Sequence, residues 1–524
     1  LDYDDVTWGL VGHPSVSLVP ATIALGELIG ASGQDVLQAY VIGFEVMAKI
    51  GRTVQPVHSL EGRWHATSTI GTFGATAACC RLLGLTKEQT GYALGIAFSM
   101  SSGSVSNFGT MTKPMNILFL MADQLAPHFL PAYSHKVVKT PRLDAIAADS
   151  TIFDAHYSNS PLCVPARAGL LTGQLPSKVN CFDSGCDYEY SVPTFAHYLR
   201  ANGYVTAQSG KAHYIGADQL HGLEKRLTMD ICPADNCWFG IWDEPDRTLD
   251  WFHTLKNVVN AGVAERASQQ DHDYDTAHAA ERWIYDYARG PDKRPFMLKV
   301  SFTHPHDPYV TPPEYWDRYR HDDIDMPVTP FIPPEERDAH GQWLYSHYDR
   351  GEYEVADKDI RKSRHGYYGS IALVDDLIGR VLDALKAARL DDNTIIVFTA
   401  DHGDMLGERG NWYKMSFYEQ ACRVPLMISM PGQSGSRRVS QCTSLMDLMP
   451  TVCELAGLER PPWLQGESLL PLVDGRVERL HEYLFFEQTY HAAYEPMRGV
   501  RDERHIYIRR FDQREKLVLP NTDD

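Results

Sequence analysis

The sequence predicts an α/β/α sandwich, preceded by an all-α fragment and followed by a smaller C-terminal α+β subdomain. Three observations predict it. The texture changes at Pro114/Met115 from Ala-, Gly-, Ser- and Thr-rich stretches to strand–helix alternation. Two apolar runs beyond that point each end in a carboxylate, and helix-like stretches separate them. At 524 residues the chain also exceeds one ordinary core, so several domains are expected, each burying enough apolar surface to be stable. The boundaries expected are 1–113, 115–455 and 456–524.

Taken in order, PATIALGELIGASG, DVLQAYVIGFEVMAKIG and GTFGATAACCRLLGL in the first segment read as small-residue helices packed closely together. MNILFLMADQ, from Met115, reads as a buried parallel strand with polar residues at its carboxyl end. A helix over RLDAIAADS follows, then a helix after Cys163, the strand PFMLKVSF, a helix over YYGSIALVDDLIGRVLDALKAARL and the strand TIIVFTAD. In such alternation ligands gather where the strands end. There is no internal repeat and no low-complexity segment.

A net charge of -19 argues against a nucleic-acid partner and fits neutral or cationic ligands. No apolar run reaches the roughly 18 residues of a membrane span, and LDYDDVTWGL has neither the basic start nor the apolar core of a signal peptide. A cytoplasmic protein without membrane attachment is expected, although a chain opening on Leu1 leaves its true start open. Ten cysteines are too sparse for a disulfide scaffold. Cys181/Cys186 and Cys232/Cys237 lack both the tight spacing of a zinc ligand pair and a histidine cluster beside them.

Chemistry concentrates in a few motifs. Cys163-Val164-Pro165-Ala166-Arg167 has the form C-x-P-x-R and continues as GLLTGQ; chance would supply the pattern on the order of 0.02 times in a chain this long. Asp123 and Gln124 close one apolar run, and Asp401 and His402 close another. Taken singly, each aspartate could cap the helix after its strand; together at two strand ends they offer hard ligands suited to Ca²⁺ or Mg²⁺.

These motifs resemble the formylglycine-dependent sulfatase family over residues 115–524. The resemblance implies an alkaline-phosphatase-like sandwich. It implies that a maturation enzyme oxidises Cys163 to formylglycine, and that Asp123, Gln124, Cys163, Asp401 and His402 hold a divalent metal, Ca²⁺ favoured with Mg²⁺ or Mn²⁺ open. Lys211 and His213 in SGKAHYIG match the family's K-x-H pair, His306 in THPHDPY its PHxP histidine, and Lys414 in NWYKM its late lysine. The mechanism implied starts from the formylglycine hydrate: one hydroxyl, activated with the help of Asp401, attacks sulfur to give a covalent sulfo-enzyme. Arg167, Lys211 and Lys414 hold the sulfate charge, His306 or Lys414 protonates the departing alcohol, and His213 takes the proton of the second hydroxyl as sulfate leaves.

Within that span DQLHGLEKRLTMDICPAD, DWFH, HPHDPY and HGDMLGERGNWYKM are similar to choline sulfatases in particular. Trp238 and His253 match positions that line the choline pocket there, where a quaternary ammonium needs an aromatic face; ordinary core aromatics are the alternative. The stretch EYLFFEQTYHAAYEPMRGVRDERHIYIRRF is more like a general sulfatase small domain, of the kind acting on sulfated sugars, and the choline enzymes continue beyond NTDD with a tail that helps close the site. Residues 1–113 resemble the interior of the MmgE/PrpD family (2-methylcitrate dehydratase and cis-aconitate decarboxylase), through LDYDD, GHPS, WHATSTIGTFGATAA and GTMTKP. Asp2, His13, His65 and Lys113 match its active-site positions, but the rest of that site lies in parts of the family not found here, so an inert remnant of a gene fusion is expected. Three other functions stay open: a phosphonate monoester or phosphodiester hydrolase of the same superfamily, a lyase, and a non-catalytic binding protein. A small-molecule sulfate ester is the expected partner, and a homo-oligomer is left open.

Overall fold

The computed structural model describes residues 13–54, 66–101, 114–187, 189, 191–232, 234, 254–348, 353–491 and 493–511. Contacts divide the chain into two compact units, Leu1–Thr112 and Lys113–Asp524. In the first, α1 (Pro14–Ile29) starts on a proline, whose missing N–H is unneeded there, and stops at Gly30 in the left-handed region. It is followed by α2 (Gly33–Val54), α3 (Ala66–Leu82) and α4 (Lys87–Ser101). The small residues let α2 and α3 touch: a Cβ on Gly74 would lie 2.1 Å from Met47 Cγ and 2.8 Å from the Gly43 carbonyl. Leu18, Ala39, Met47, Ile70 and Ala78 form the core of this unit.

In the second unit the strands, in chain order, are β1 (Asn116–Ala122), β2 (Thr151–Tyr157), β3 (Val205–Gly210), β4 (Lys225–Arg226), β5 (Gly262–Val263), β6 (Phe296–Phe302), β7 (Val310–Thr311), β8 (Thr394–Ala400), β9 (Leu426–Ser429) and β10 (Arg437–Ser444). Eight of them form one sheet in the order β10-β2-β9-β8-β1-β6-β3-β4, while β5 and β7 pair separately. β1 and β6 are buried at every position, as strands covered by helices on both faces must be. The sheet is mixed, because β9 runs antiparallel between β2 and β8. Helices α5 (Pro141–Ala148), Ser268–Arg289 and Asp357–Ala387 pack together as one layer, and α6 (Cys163–Thr172), α7 (Phe195–Ala201) and Leu448–Leu455 as the other.

Register sets up the site. Ala122 pairs with Ala400 on one side and with Phe302 on the other, and Gly210 pairs with Ser301. The carboxyl ends of β1, β8, β6 and β3 are therefore level, and the residues that follow them emerge along one edge. Toward the C-terminus β11 (Leu484–His491), β12 (Ala493–Arg501) and β13 (Ile506–Arg510) form an antiparallel sheet. Leu484, Phe486 and Met497 of that sheet share an apolar cluster with Tyr157 and Cys442 of the larger one and with Phe417 and Cys422 between its strands. Among the described residues no helix is long and apolar enough to cross a membrane.

Candidate active site

α6 begins on Cys163, which explains the spacing of its motif. One turn separates Cys163 from Arg167, so both side chains leave the same face of the helix. Pro165 stands in the first turn, where its missing N–H leaves no bond unmade. The helix N-terminus also presents its partial positive charge at Cys163.

Arg167 is almost wholly buried and ties the two strand ends together. Its Nη2 donates to Asp123 Oδ2 and its Nε to Asp401 Oδ2, each at 2.9 Å, while Nη1 donates to the Lys211 carbonyl at 2.8 Å and to Ser301 Oγ at 3.0 Å. Lys211 Nζ adds a second contact to Asp123 Oδ2 at 2.9 Å. Burial on its own would raise the Asp123 pKa, but Lys211 and Arg167 outweigh it and hold this carboxyl well below the usual carboxylate range. Its other oxygen, Oδ1, is buried and accepts no hydrogen bond.

The imidazole of His402 faces the same point. Its Nδ1 donates to the Gly403 carbonyl at 3.1 Å, leaving the Nε2 lone pair directed at Cys163 Sγ, 3.2 Å away. Burial, opposed by Asp401, pushes this imidazole down to about 4, so it is neutral near pH 7. On the far side Lys414 Nζ lies 3.4 Å from Cys163 Sγ, 3.4 Å from Gln124 Oε1 and 2.8 Å from His306 Nε2. His306 Nδ1 donates to the Asp307 carbonyl at 2.8 Å, which leaves Nε2 as the acceptor for Lys414. Gln124 and His213 both take positive φ, 61° and 58°, and the His213 turn is held by Asp230 Oδ2, which accepts the amides of Ala212 at 3.1 Å and His213 at 2.8 Å.

Among the described residues, Asp123, Cys163, Asp401 and His402 are the group whose ligand atoms, all within 4.8 Å of one another, could hold a metal ion. The donor set fits a divalent cation. It offers two carboxylates, one with an orphaned buried oxygen, and an inward imidazole nitrogen whose other nitrogen is fixed by a carbonyl.

The structure thus brings together Asp123, Gln124, Cys163, Arg167, Lys211, His306, Asp401, His402 and Lys414, and buries His213 on its Asp230-held turn. Trp238 and His253 lie outside the described residues, as do Asp2, His65 and Lys113 of the first segment; His13 occupies the N-cap position of α1. Sequence reasoning missed Asp230, Ser301, Lys299, Asp307, Tyr309 and Asp404. Asp404 is fully buried and takes bonds from Gln124 Nε2 at 2.7 Å and Tyr309 Oη at 2.9 Å; burial, reinforced by Asp307, pushes it up to about 6. Lys299 lies inside β6 with no hydrogen bond on its Nζ, and burial followed by the Arg167 charge pushes it down to about 7. Asp307 and Asp404 stand directly beside motif residues, which was the available signal.

Residues 115–458 match the sulfatase family, and the chain belongs to it. Residues 1–126 match the MmgE/PrpD N-terminal domain, and 407–522 the C-terminal region of N-sulphoglucosamine sulphohydrolase. Over 406 residues the chain is 42% identical to a choline-sulfatase of Rhizobium meliloti (strain 1021), covering 76% of this chain and 78% of that protein. It superposes on the phosphonate monoester hydrolase of Agrobacterium radiobacter with a TM-score of 0.61 and 25% identity, over 78% of this chain and 89% of the other. A protein solved with its substrate D-glucosamine-2-N,6-O-disulfate shares the fold at a TM-score of 0.61, with 21% identity over 77% of this chain and 90% of that one. The chain is therefore a sulfatase with the α/β fold of its family, in which a metal ion and a formylglycine are general.

Proposed function

We propose that residues 115–524 hydrolyse an alkyl sulfate ester, choline-O-sulfate, through formylglycine at position 163. The observation that carries the reaction type is the meeting of Cys163 Sγ with His402 Nε2 at 3.2 Å and Lys414 Nζ at 3.4 Å, beside the Asp123/Asp401 pair. The Sγ position stands in for an oxygen of the hydrated aldehyde.

In this reading Asp123, Gln124, Asp401 and His402 hold a divalent cation, Ca²⁺ or, given the imidazole nitrogen, Mn²⁺. When bound, such a cation supplies Lewis acidity at the nucleophile and positive charge for the sulfate. Asp401 receives the proton of the attacking hydroxyl. His306 Nε2 shares a hydrogen bond with Lys414 Nζ, so the pair has a proton to deliver as the ester oxygen departs. His213 takes the proton of the second hydroxyl, which lets the C–O bond to sulfate break and the aldehyde return. Lys414, 3.4 Å from Cys163 Sγ, and Lys211 hold the sulfate charge, and Arg167 acts mainly through the two carboxylates it holds.

Identity of 42% to a choline-sulfatase supports the choline ester. The long-range field supports it too: choline-O-sulfate is a zwitterion, which a chain of net charge -19 does not repel. The match of 407–522 to an N-sulphoglucosamine sulphohydrolase region favours a second reading, a sulfated sugar. The domains proposed are 1–113, 115–455 and 456–524, with the first catalytically inert, the protein cytoplasmic and a formylglycine-generating enzyme its maturation partner.

Two measurements test this. Mass spectrometry of the Cys163 peptide is expected to show a loss of about 18 Da, the thiol having become an aldehyde; intact thiol throughout a fully active sample overturns the mechanism. Side-by-side turnover of choline-O-sulfate, a glucosamine 6-sulfate and a phosphonate monoester is expected to favour the first, with deletion of residues 1–113 leaving it unchanged.

A further inference from the structure

Gln124 carries an amide where a cation site would ordinarily gain from a third carboxylate. The reason lies behind it. Its Nε2 faces Asp404 Oδ2 at 2.7 Å and Asp307 Oδ1 at 3.3 Å, one acceptor for each amide hydrogen. Both carboxylates are buried and anchored by other donors: Asp404 by Tyr309 Oη at 2.9 Å and the Leu406 amide at 2.8 Å, Asp307 by Asn257 Nδ2 at 2.7 Å. Turned the other way, the amide would set its oxygen against two carboxylates in a dry interior, where such contacts are most costly. Only one orientation survives, with Oε1 on the side of Lys414, itself 3.4 Å away and in contact with Cys163.

We infer that Asp404, assisted by Asp307, is a positioning residue that turns the Gln124 oxygen toward the cation site and excludes a carboxylate from position 124. The inference rests on the proposed cation site. It reaches beyond the ligands to the groups that set their orientation and limit the site to two carboxylates, Asp123 and Asp401.

A distinctive consequence concerns Gln124→Glu. Adding a carboxylate to a hard-cation site usually tightens binding, because affinity follows ligand charge. Here the second oxygen of the introduced carboxylate would face Asp404 and Asp307, so Gln124→Glu alone is expected to weaken Ca²⁺ binding. In an Asp404→Asn background the asparagine amide offers a donor to that oxygen, and the same substitution is expected to tighten binding. Asp404→Asn alone must either lose its acceptor for Gln124 and Tyr309 or set its NH₂ against the Leu406 amide, and is expected to weaken Ca²⁺ binding by about tenfold.

The experiment is calorimetric titration of Ca²⁺, and in parallel Mn²⁺, into the metal-free full chain and these variants, with the melting temperature of each metal-free protein as a control for folding. A reversal in the sign of the Gln124→Glu effect between the two backgrounds supports the assignment. Additive effects, or an Asp404→Asn protein that binds within threefold of the parent, overturn it while leaving the cation site standing. A parent chain that binds neither ion overturns the cation site itself and this assignment with it. Should Asp404→Asn fail to fold, Tyr309→Phe, which removes one anchor of Asp404, is expected to weaken binding about threefold, and unchanged affinity there also overturns the assignment.

Discussion

Replacing Arg167 with methionine isolates the electrostatic framework from the chemistry. Its guanidinium donates to Asp123, Asp401, the Lys211 carbonyl and Ser301, all buried. Methionine fills much of the same space, so the cost is that of two buried carboxylates losing a shared cation rather than that of a cavity. Breaking a buried pair from one side costs about 3–5 kcal/mol. Lys211 still reaches Asp123 at 2.9 Å, which places the expectation near the lower end in that range. For a unit of this size the entropy of unfolding is about 0.9 kcal/mol/K, so the metal-free protein should melt roughly 3–5 °C lower. Scanning calorimetry checks it, and saturating Ca²⁺ should restore part of the loss, since a cation between the carboxylates replaces the missing charge. A drop below about 1 °C, or no difference between metal-free and loaded protein, would refute the view that Arg167 serves chiefly to hold the carboxylates.

Three further outcomes are expected. Lys299 has a folded pKa of about 7 against an ordinary 10.5, so between those values the unfolded chain binds more protons and parent stability rises with pH; Lys299→Met should raise the urea midpoint at pH 7, gain much less at pH 10, and flatten the profile, whereas parallel profiles would contradict this. Asp123→Asn should bind Ca²⁺ at least tenfold more weakly, so that Ca²⁺ at about 100 times the parent Kd, worth about 2.7 kcal/mol to the parent and at most about 1.4 kcal/mol to the variant, should raise the parent's melting temperature at least about twice as far as the variant's. Because the chain carries a net charge of -19, kcat/KM for a singly anionic aryl sulfate should rise as salt increases from roughly 0.02 to 0.2 M while that for choline-O-sulfate stays flat; equal slopes would remove the electrostatic support for a zwitterionic substrate.

What was legible in the sequence was whatever local rules encode. NILFLMA and FMLKVSF are mostly apolar because both faces of their strands are covered, and both are strands in the structure. The helix expected from Tyr367 begins instead at Asp357. Its first ten residues, DKDIRKSRHG, are mostly polar, yet Arg364 and His365 are buried, held by Asp325 and the Trp316 carbonyl. Those partners lie 39 and 49 residues away, and no periodicity in the helix announces them. The antiparallel β9 went unread for a similar reason: LMIS is four residues long, and its direction is set by pairing with β2 and β8 rather than by its own composition.

The candidate site divides along the same line. Cys163 and Arg167 were legible because one helical turn links them, and Asp123 and Asp401 because each ends its own strand; registering Ala122 with Ala400 then makes the two ends neighbours. The groups that orient these residues are encoded differently. Gln124, Asp307 and Asp404 follow three separate strands; Gln124 was expected as a ligand from its place at a strand end, whereas Asp307 and Asp404 look in sequence like ordinary neighbours of motif residues. Their hydrogen bonds exist only because β6, β1 and β8 lie side by side and end at one level. Lys299 carries the point furthest. In sequence it is a lone charge that weakens a strand assignment, and in the structure it is a buried amine that senses Arg167 from within the sheet. A substitution there is therefore expected to act through charge, with little change in packing.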